Sequence, residues 1–167
     1  MSDQSSLLER FKNGDIRALA RAISIVEDGE DGAPAILSSL ASLSGKAHIV
    51  GITGPPGAGK STLTSRIAKQ LLDKGERVAL LLIDPSSPFS GGAILGDRIR
   101  MLELSGHKNV YIRSVATRGS LGGLSNSTSQ VIKLMDSFGF STIIVETVGT
   151  GQAETDIMQT VDTVVVV

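Results

Sequence analysis

The rhythm of hydrophobic and polar positions changes near residue 46. Before it, "GDIRALARAISIVED" (14–28) places Ile16, Leu19, Ala20, Ile23 and Val26 on the 3, 4, 7 spacing of one helical face, with Arg17 and Arg21 on the other. Two glycines and a proline in "EDGEDGAP" end that helix, and "PAILSSLASLSG" predicts a shorter one that stops at Gly45. After it, apolar runs alternate with helical patterns. The runs "AHIVGITG", "RVALLLID", "NVYIRSV", "STIIVET" and "DTVVVV" predict strands. Between them, "KSTLTSRIAKQLLDKG", "GDRIRMLELSG" and "STSQVIKLMDSFG" predict helices. "RVALLLID" has almost no polar interruption, as a strand buried on both faces should. Repeated βα units of this kind predict an α/β fold, a mostly parallel β-sheet flanked by helices and preceded by N-terminal helices. The expected division is a helical extension over residues 1–45 and a nucleotide-binding domain over 46–167.

Composition narrows the classes of function. The net charge of −1 gives no basic field for nucleic acid or an anionic membrane, and aromatics at 3% speak against base stacking. No apolar run approaches the roughly 20 residues of a membrane helix, and the polar start "MSDQSSLLERFKNGD" has no signal-peptide core. Neither nucleic acid nor membrane is therefore expected as a partner. The absence of cysteine excludes disulfides, thiolate metal sites and a cysteine nucleophile, and it fits a cytoplasmic location.

The candidate chemistry centres on "GITGPPGAGKST" (51–62), which sits between a predicted strand and a predicted helix. Gly54, Gly59, Lys60 and Ser61 match G-x-x-x-x-G-K-[ST], and the loop runs Gly54, Pro55, Pro56, Gly57, Ala58, Gly59, Lys60, Ser61, Thr62. Its glycines let the backbone curl so that several N–H groups point at one phosphate, and the helix that follows adds its positive end. Lys60 is expected to reach the β and γ phosphates, facing solvent until they arrive. Ser61 is expected to ligate Mg²⁺. The implied ligand is a nucleoside triphosphate with Mg²⁺.

Asp84 ends "LLLID" and Glu146 ends "TIIVE". The carboxyl ends of parallel strands line the ligand crevice, so both carboxylates are expected on the phosphate-loop side, around the metal. Asp97 opens the next helix, either as its N-cap or as a third metal ligand. In "ETVGTGQAE", Gly149 could offer its N–H to the γ phosphate and Gln152 could orient the attacking water, or the segment is a polar turn. Two distant histidines, His48 and His107, make a poor metal cluster, and Arg113 and Arg118 read as solvated loop arginines before they read as an arginine finger.

Together, "GITGPPGAGKSTL", "LLIDPSSPFSGGAILGDRIRM" and "VETVGTGQAE" resemble the MeaB/ArgK family, the methylmalonyl-CoA mutase-associated GTPases, and "GDIRALARAISIVE" is similar to that family's N-terminal helix. The resemblance runs from about residue 8 to the end and implies a P-loop NTPase fold of the SIMIBI type. It implies a GTP-binding and GTP-hydrolysing switch that acts as a chaperone for an adenosylcobalamin-dependent mutase, with GTP/GDP and Mg²⁺ as cofactors and slow turnover without the partner. On these positions Lys60 and Ser61 are the phosphate-loop pair, Asp84, Asp97 and Glu146 surround Mg²⁺, and Gly149 and Gln152 lie in the second switch. The family's guanine-reading N-K-x-D motif is expected after "DTVVVV", so the 167 residues are expected to represent the family's N-terminal half, with a homodimer formed by the full-length protein. Two other readings stay open: an ATP-dependent kinase or ATPase of an arginine/ornithine transport system, and a nucleotide-binding docking module without hydrolysis.

Overall fold

Among the described residues, five strands pair in the order β3-β2-β4-β1-β5, all parallel. They are β1 (His48–Thr53), β2 (Val78–Asp84), β3 (Val110–Ala116), β4 (Thr142–Glu146) and β5 (Thr163–Val166). This computed structural model describes residues 3–84, 101, 104–116, 126–147 and 159–167. The helices among those residues are α1 (Asp3–Lys12), α2 (Ile16–Asp28), α3 (Ala33–Leu40), α4 (Lys60–Asp73) and α5 (Asn126–Ser137), with a 3₁₀ turn at Ala41–Leu43. The predicted helix "GDRIRMLELSG" falls mainly outside the described residues.

The contacts divide the chain into two compact units, Met1–Ala47 with Asn126–Phe140, and His48–Ser125 with Ser141–Val167. The first unit is therefore larger than the extension expected over 1–45. It takes in α5, which contacts α2 and α3. On α2 the buried stripe is Ala18, Leu19, Ala22, Ile23, Ile25 and Val26. Ile16, expected on that face, is 44% exposed. At about 100° per residue it lies roughly 100° from the centre of the stripe, beside the N-cap. α1 has too few apolar positions to be read as a helix from the sequence, and ten residues are marginal in isolation. Tertiary packing holds it. Phe11 is buried edge-on against Phe138, with centroids 5.1 Å apart, and Phe138 stacks on Phe140 at 5.6 Å. The chain leaving this unit is clamped by Asp136 of α5. Its buried carboxylate accepts hydrogen bonds from the backbone N–H groups of Gly45, Lys46 (3.1 Å) and Ala47 (2.9 Å).

Asp15 caps α2 by accepting from the Arg17 backbone N–H at 2.8 Å, and the Arg10 guanidinium pairs with the same carboxylate at 2.7 Å. The hydrogen bond from Arg10 first, and that from the Arg17 backbone second, hold the Asp15 carboxyl below its ordinary 3.8. A lowered folded-state value means that the ionised cap stabilises above the unfolded aspartate range and is lost as pH falls through the folded value. Asn caps nearly as well but does not titrate. The difference in melting temperature between the native chain and Asp15→Asn should therefore stay constant above about pH 5 and shrink at lower pH. A gap that does not depend on pH, followed by circular dichroism, would exclude this role.

In the second unit, β2 and β4 are central strands, and every residue from Val78 to Ile83 and from Thr142 to Glu146 is buried. The near-continuous apolar runs follow from that position. One sheet face packs on α4: Val50, Ile52, Val78, Leu80, Leu82, Ile144 and Val165 meet Ile67, Ala68, Leu71 and Leu72. The register sets Glu146 beside both Ile52 and Leu82, and Thr53 beside Val166. The carboxyl ends of the strands thus arrive together where β1 leads into the loop 54–59. Among the described residues, no helix is long and apolar enough to cross a membrane.

Candidate functional site: a phosphate loop with a serine–glutamate pair

Chain direction alone carries the glycine-rich loop from the tip of β1 to the start of α4. Gly54, Gly57 and Gly59 all have positive φ, at 138°, 81° and 98°. At Gly54 a second constraint applies. A Cβ there would overlap the carbonyl oxygen of Val167, whose own N–H donates to Thr53 O at 2.9 Å. Only glycine meets both demands. Pro55, Pro56, Gly57, Ala58 and Gly59 are exposed, so the curled backbone is open to a ligand. Gly59 is the N-cap of α4 and offers no side-chain cap, and the first turn holds no acidic residue. The amino end of this 14-residue helix therefore keeps backbone donors and a positive dipole end for an anion.

Lys60 does not face solvent. It is 8% exposed, and its Nζ donates to the carbonyls of Gly54 (2.8 Å) and Pro55 (3.0 Å). The sequence-based expectation was wrong because it treated the side chain as a free arm. The loop's opening carbonyls converge on the ammonium, and a buried cation is tolerable only when such acceptors surround it. An ammonium has three donors, so two bonds brace the loop and one N–H is left for a phosphate.

Ser61 and Glu146 are brought together across 85 residues of sequence: Ser61 Oγ donates to Glu146 Oε1 at 2.6 Å. Glu146 is 6% exposed, and its second oxygen, Oε2, is buried with no hydrogen-bond partner among the described residues. A buried, half-satisfied carboxylate is costly unless a cation or its water shell completes it. A hydroxyl and a carboxylate oxygen are hard donors suited to Mg²⁺, which takes one or two carboxylates and completes its shell with phosphates and water. The residues present fit that ion. They form no larger cage, since no group of three or more His, Cys, Asp or Glu occurs among the described residues.

Thr62 is exposed on the outer side of α4. Asp84 ends β2, with its Cα in register with Ala116, but its side chain lies outside what is described. Asp97, Gly149 and Gln152 also lie outside the described residues. Sequence reasoning missed two supporting residues. Thr147 Oγ1 bonds Thr53 Oγ1 at 3.0 Å, both buried, and the Thr147 N–H donates to Ile52 O at 3.1 Å. These bonds tie the tip of β4 to the tip of β1 and so fix Glu146 beside Ser61. Thr53 closes β1 in "GIT" and Thr147 directly follows β4 in "VET", which is the trace of the pair in the sequence. Thr64, one turn below Lys60, is fully buried, and its hydroxyl has no hydrogen-bond partner among the described residues.

Comparisons with known proteins bear on the family and the fold. Residues 19–167 match the family described as methylmalonyl Co-A mutase-associated GTPase MeaB. A Pyrococcus horikoshii protein that carries a provisional GTPase name is 54% identical over 167 residues, covering 100% of this chain and 53% of its own. The GTPase ArgK of Escherichia coli is 37% identical over 169 residues, covering 97% of this chain and 51% of its own. A crystal structure of an LAO/AO transport system kinase superposes with a TM-score of 0.76 at 26% identity, over 100% of this chain and 51% of that one. The chain spans about half the length of the curated relatives it matches. With the family matched over residues 19–167 and the phosphate loop, Lys60, Ser61 and Glu146 in place, this chain belongs to the MeaB family of methylmalonyl-CoA mutase-associated GTPases.

Proposed function

We propose that this chain forms the nucleotide-binding core of a GTP-hydrolysing switch that serves as a chaperone for an adenosylcobalamin-dependent acyl-CoA mutase, gating cofactor loading and protecting the enzyme in the cytoplasm. The observation that carries the nucleotide part is the Ser61–Glu146 contact beside a lysine-braced phosphate loop. The partner follows from the family description. In this reading the loop N–H groups and the amino end of α4 cradle the β phosphate, and the third Lys60 N–H points at the β and γ phosphates. Ser61 and Glu146 would hold Mg²⁺, with Asp84 and Asp97 as its further carboxylates, and the ion would supply charge neutralisation for the phosphate oxygens. Gln152 orients the attacking water, and the Gly149 N–H senses the γ phosphate. Binding and hydrolysis thereby become a change in the order of the "ETVGTGQAE" segment.

Glu146→Gln keeps the size of the side chain and removes the charge. It should weaken the Mg²⁺ dependence of GDP binding while leaving metal-free GDP affinity nearly intact, as read by calorimetry with and without the ion. Equal metal dependence in both proteins would give Glu146 another task. Single-turnover GTP hydrolysis, with and without the mutase, tests the switch itself. The expected result is slow release of phosphate that the mutase changes. No hydrolysis in either condition would leave a docking module instead. Phosphate transferred to an acceptor would favour the transport-kinase reading, which has the name of the superposed crystal structure in its favour.

Base choice gives a separate check. No N-K-x-D tetrad occurs in the 167 residues, and the site residues above address phosphates and metal, which GDP and ADP share. An aspartate reading two guanine donors adds roughly 10²- to 10⁴-fold preference, at about 1.5–3 kcal/mol per charge-assisted bond. The 167-residue chain should therefore bind GDP and ADP within about tenfold of each other. A hundredfold preference in a competition assay would mean that other residues of this chain read the base.

A further inference from the structure

In the first unit, α1, α2 and the turn before α3 enclose a groove of about 310 Å³ that has no part in the phosphate site. Its charged lining is Arg10, Arg17 and Arg21 against a single carboxylate, Glu30, over an apolar floor of Leu7 and Ile25. Arg10 pairs with Asp15 at 2.7 Å, and Arg21 makes a two-pronged pair with Glu30, 3.1 Å on each arm. Both pairs are exposed, and exposed ion pairs contribute so little that their arginines can exchange or share partners. The Arg17 guanidinium pairs with no carboxylate among the described residues, and its side chain is exposed at the groove. Arg17 and Arg21 stand one turn apart on α2, about 6 Å along the axis. In an extended chain, alternate side chains on one face are about 6.6–6.8 Å apart. The two spacings match. A lone phosphate covers only part of this row, whereas an extended segment with carboxylates at alternate positions meets both arginines in register and lays its methylenes on Leu7 and Ile25.

We propose that this arginine-lined groove docks an extended acidic segment of a partner protein, with carboxylates at alternate positions meeting Arg17 and Arg21. Guanidinium forks bind carboxylates with two parallel hydrogen bonds, so the contact is specific in geometry as well as in charge. The chain's net charge of −1 makes the recognition local and not a consequence of overall charge.

The test titrates the full 167-residue chain with Glu-Thr-Glu-Thr-Glu peptide and follows the arginine Nε–H resonances by NMR. Saturable shifts at Arg10, Arg17 and Arg21 are expected, with a dissociation constant at least tenfold lower than for a peptide with one glutamate or for inorganic phosphate. Arg17→Gln and, separately, Arg21→Gln should each weaken peptide binding at least tenfold without moving the thermal melt, because both side chains are exposed. The proposal is overturned if the shifts do not saturate, if phosphate or the single-glutamate peptide binds as well, or if both variants bind the peptide like the native chain.

Discussion

Lys60→Ala should bind GDP about 10- to 100-fold more weakly than the native chain and melt at a lower temperature. Two separate losses combine. The first is the charge-assisted bond to phosphate, worth about 1.5–3 kcal/mol. The second is structural: alanine leaves the Gly54 and Pro55 carbonyls without the ammonium that joins them, and Lys60 is 8% exposed. An unpaired buried acceptor costs about 1–3 kcal/mol, with water entering the exposed loop to reduce that cost. Calorimetry with Mg²⁺–GDP reads the first effect, and a denaturant melt reads the second. Unchanged nucleotide affinity would remove Lys60 from the phosphate site. A lost affinity with an unchanged melt would mean that its carbonyl contacts do not brace the loop.

Gly54→Ala is expected to be the most damaging single methyl group in the loop. It forces a positive φ of 138° on a residue with a Cβ and drives that Cβ into the Val167 carbonyl. Backbone strain of this kind and overpacking each cost about 1–3 kcal/mol, so a combined loss of roughly 2–6 kcal/mol is expected, read from a urea melt. Gly57→Ala serves as the control. It also has a positive φ, but a Cβ there meets nothing within 4 Å. If the two variants lose the same stability, the approach of Val167 adds nothing. The prediction also links two ends of the second unit: displacement of Val167 would disturb the hydrogen bond from its N–H to Thr53, the residue that steadies Thr147 next to Glu146.

The phosphate loop and the strands were legible in the sequence because both are local signals. A glycine-rich loop between an apolar strand and a helix needs no distant residue to define it; β1, β2, β4 and β5 fall within the runs that predicted them, and β3 runs one residue past its own, to Ala116. Amphipathic periodicity gave α2 its length but misplaced Ile16, because a helix's apolar face is settled by what packs on it and not by spacing alone. α1 was missed for the same reason. Its one anchoring aromatic, Phe11, acquires meaning only against Phe138, 127 residues away in sequence. The grouping of α5 with the N-terminal helices likewise rests on long-range contacts and on Asp136 gripping residues 45–47.

Sequence by itself determined the α/β class, the parallel sheet, the phosphate loop and the acidic residue at the end of β4, since each depends on residue type within a short window. Tertiary structure alone decided the strand order that sets β4 beside β1, the 2.6 Å contact of Ser61 with Glu146, the inward turn of Lys60 and the meeting of three arginines over Leu7 and Ile25. The physical reason is common to all four. Each is settled by where groups come to lie in space: strand order and the Ser61–Glu146 contact join distant elements, Lys60 turns in because a buried ammonium needs acceptors, and Arg10 meets Arg17 and Arg21 through the packing of α1 on α2.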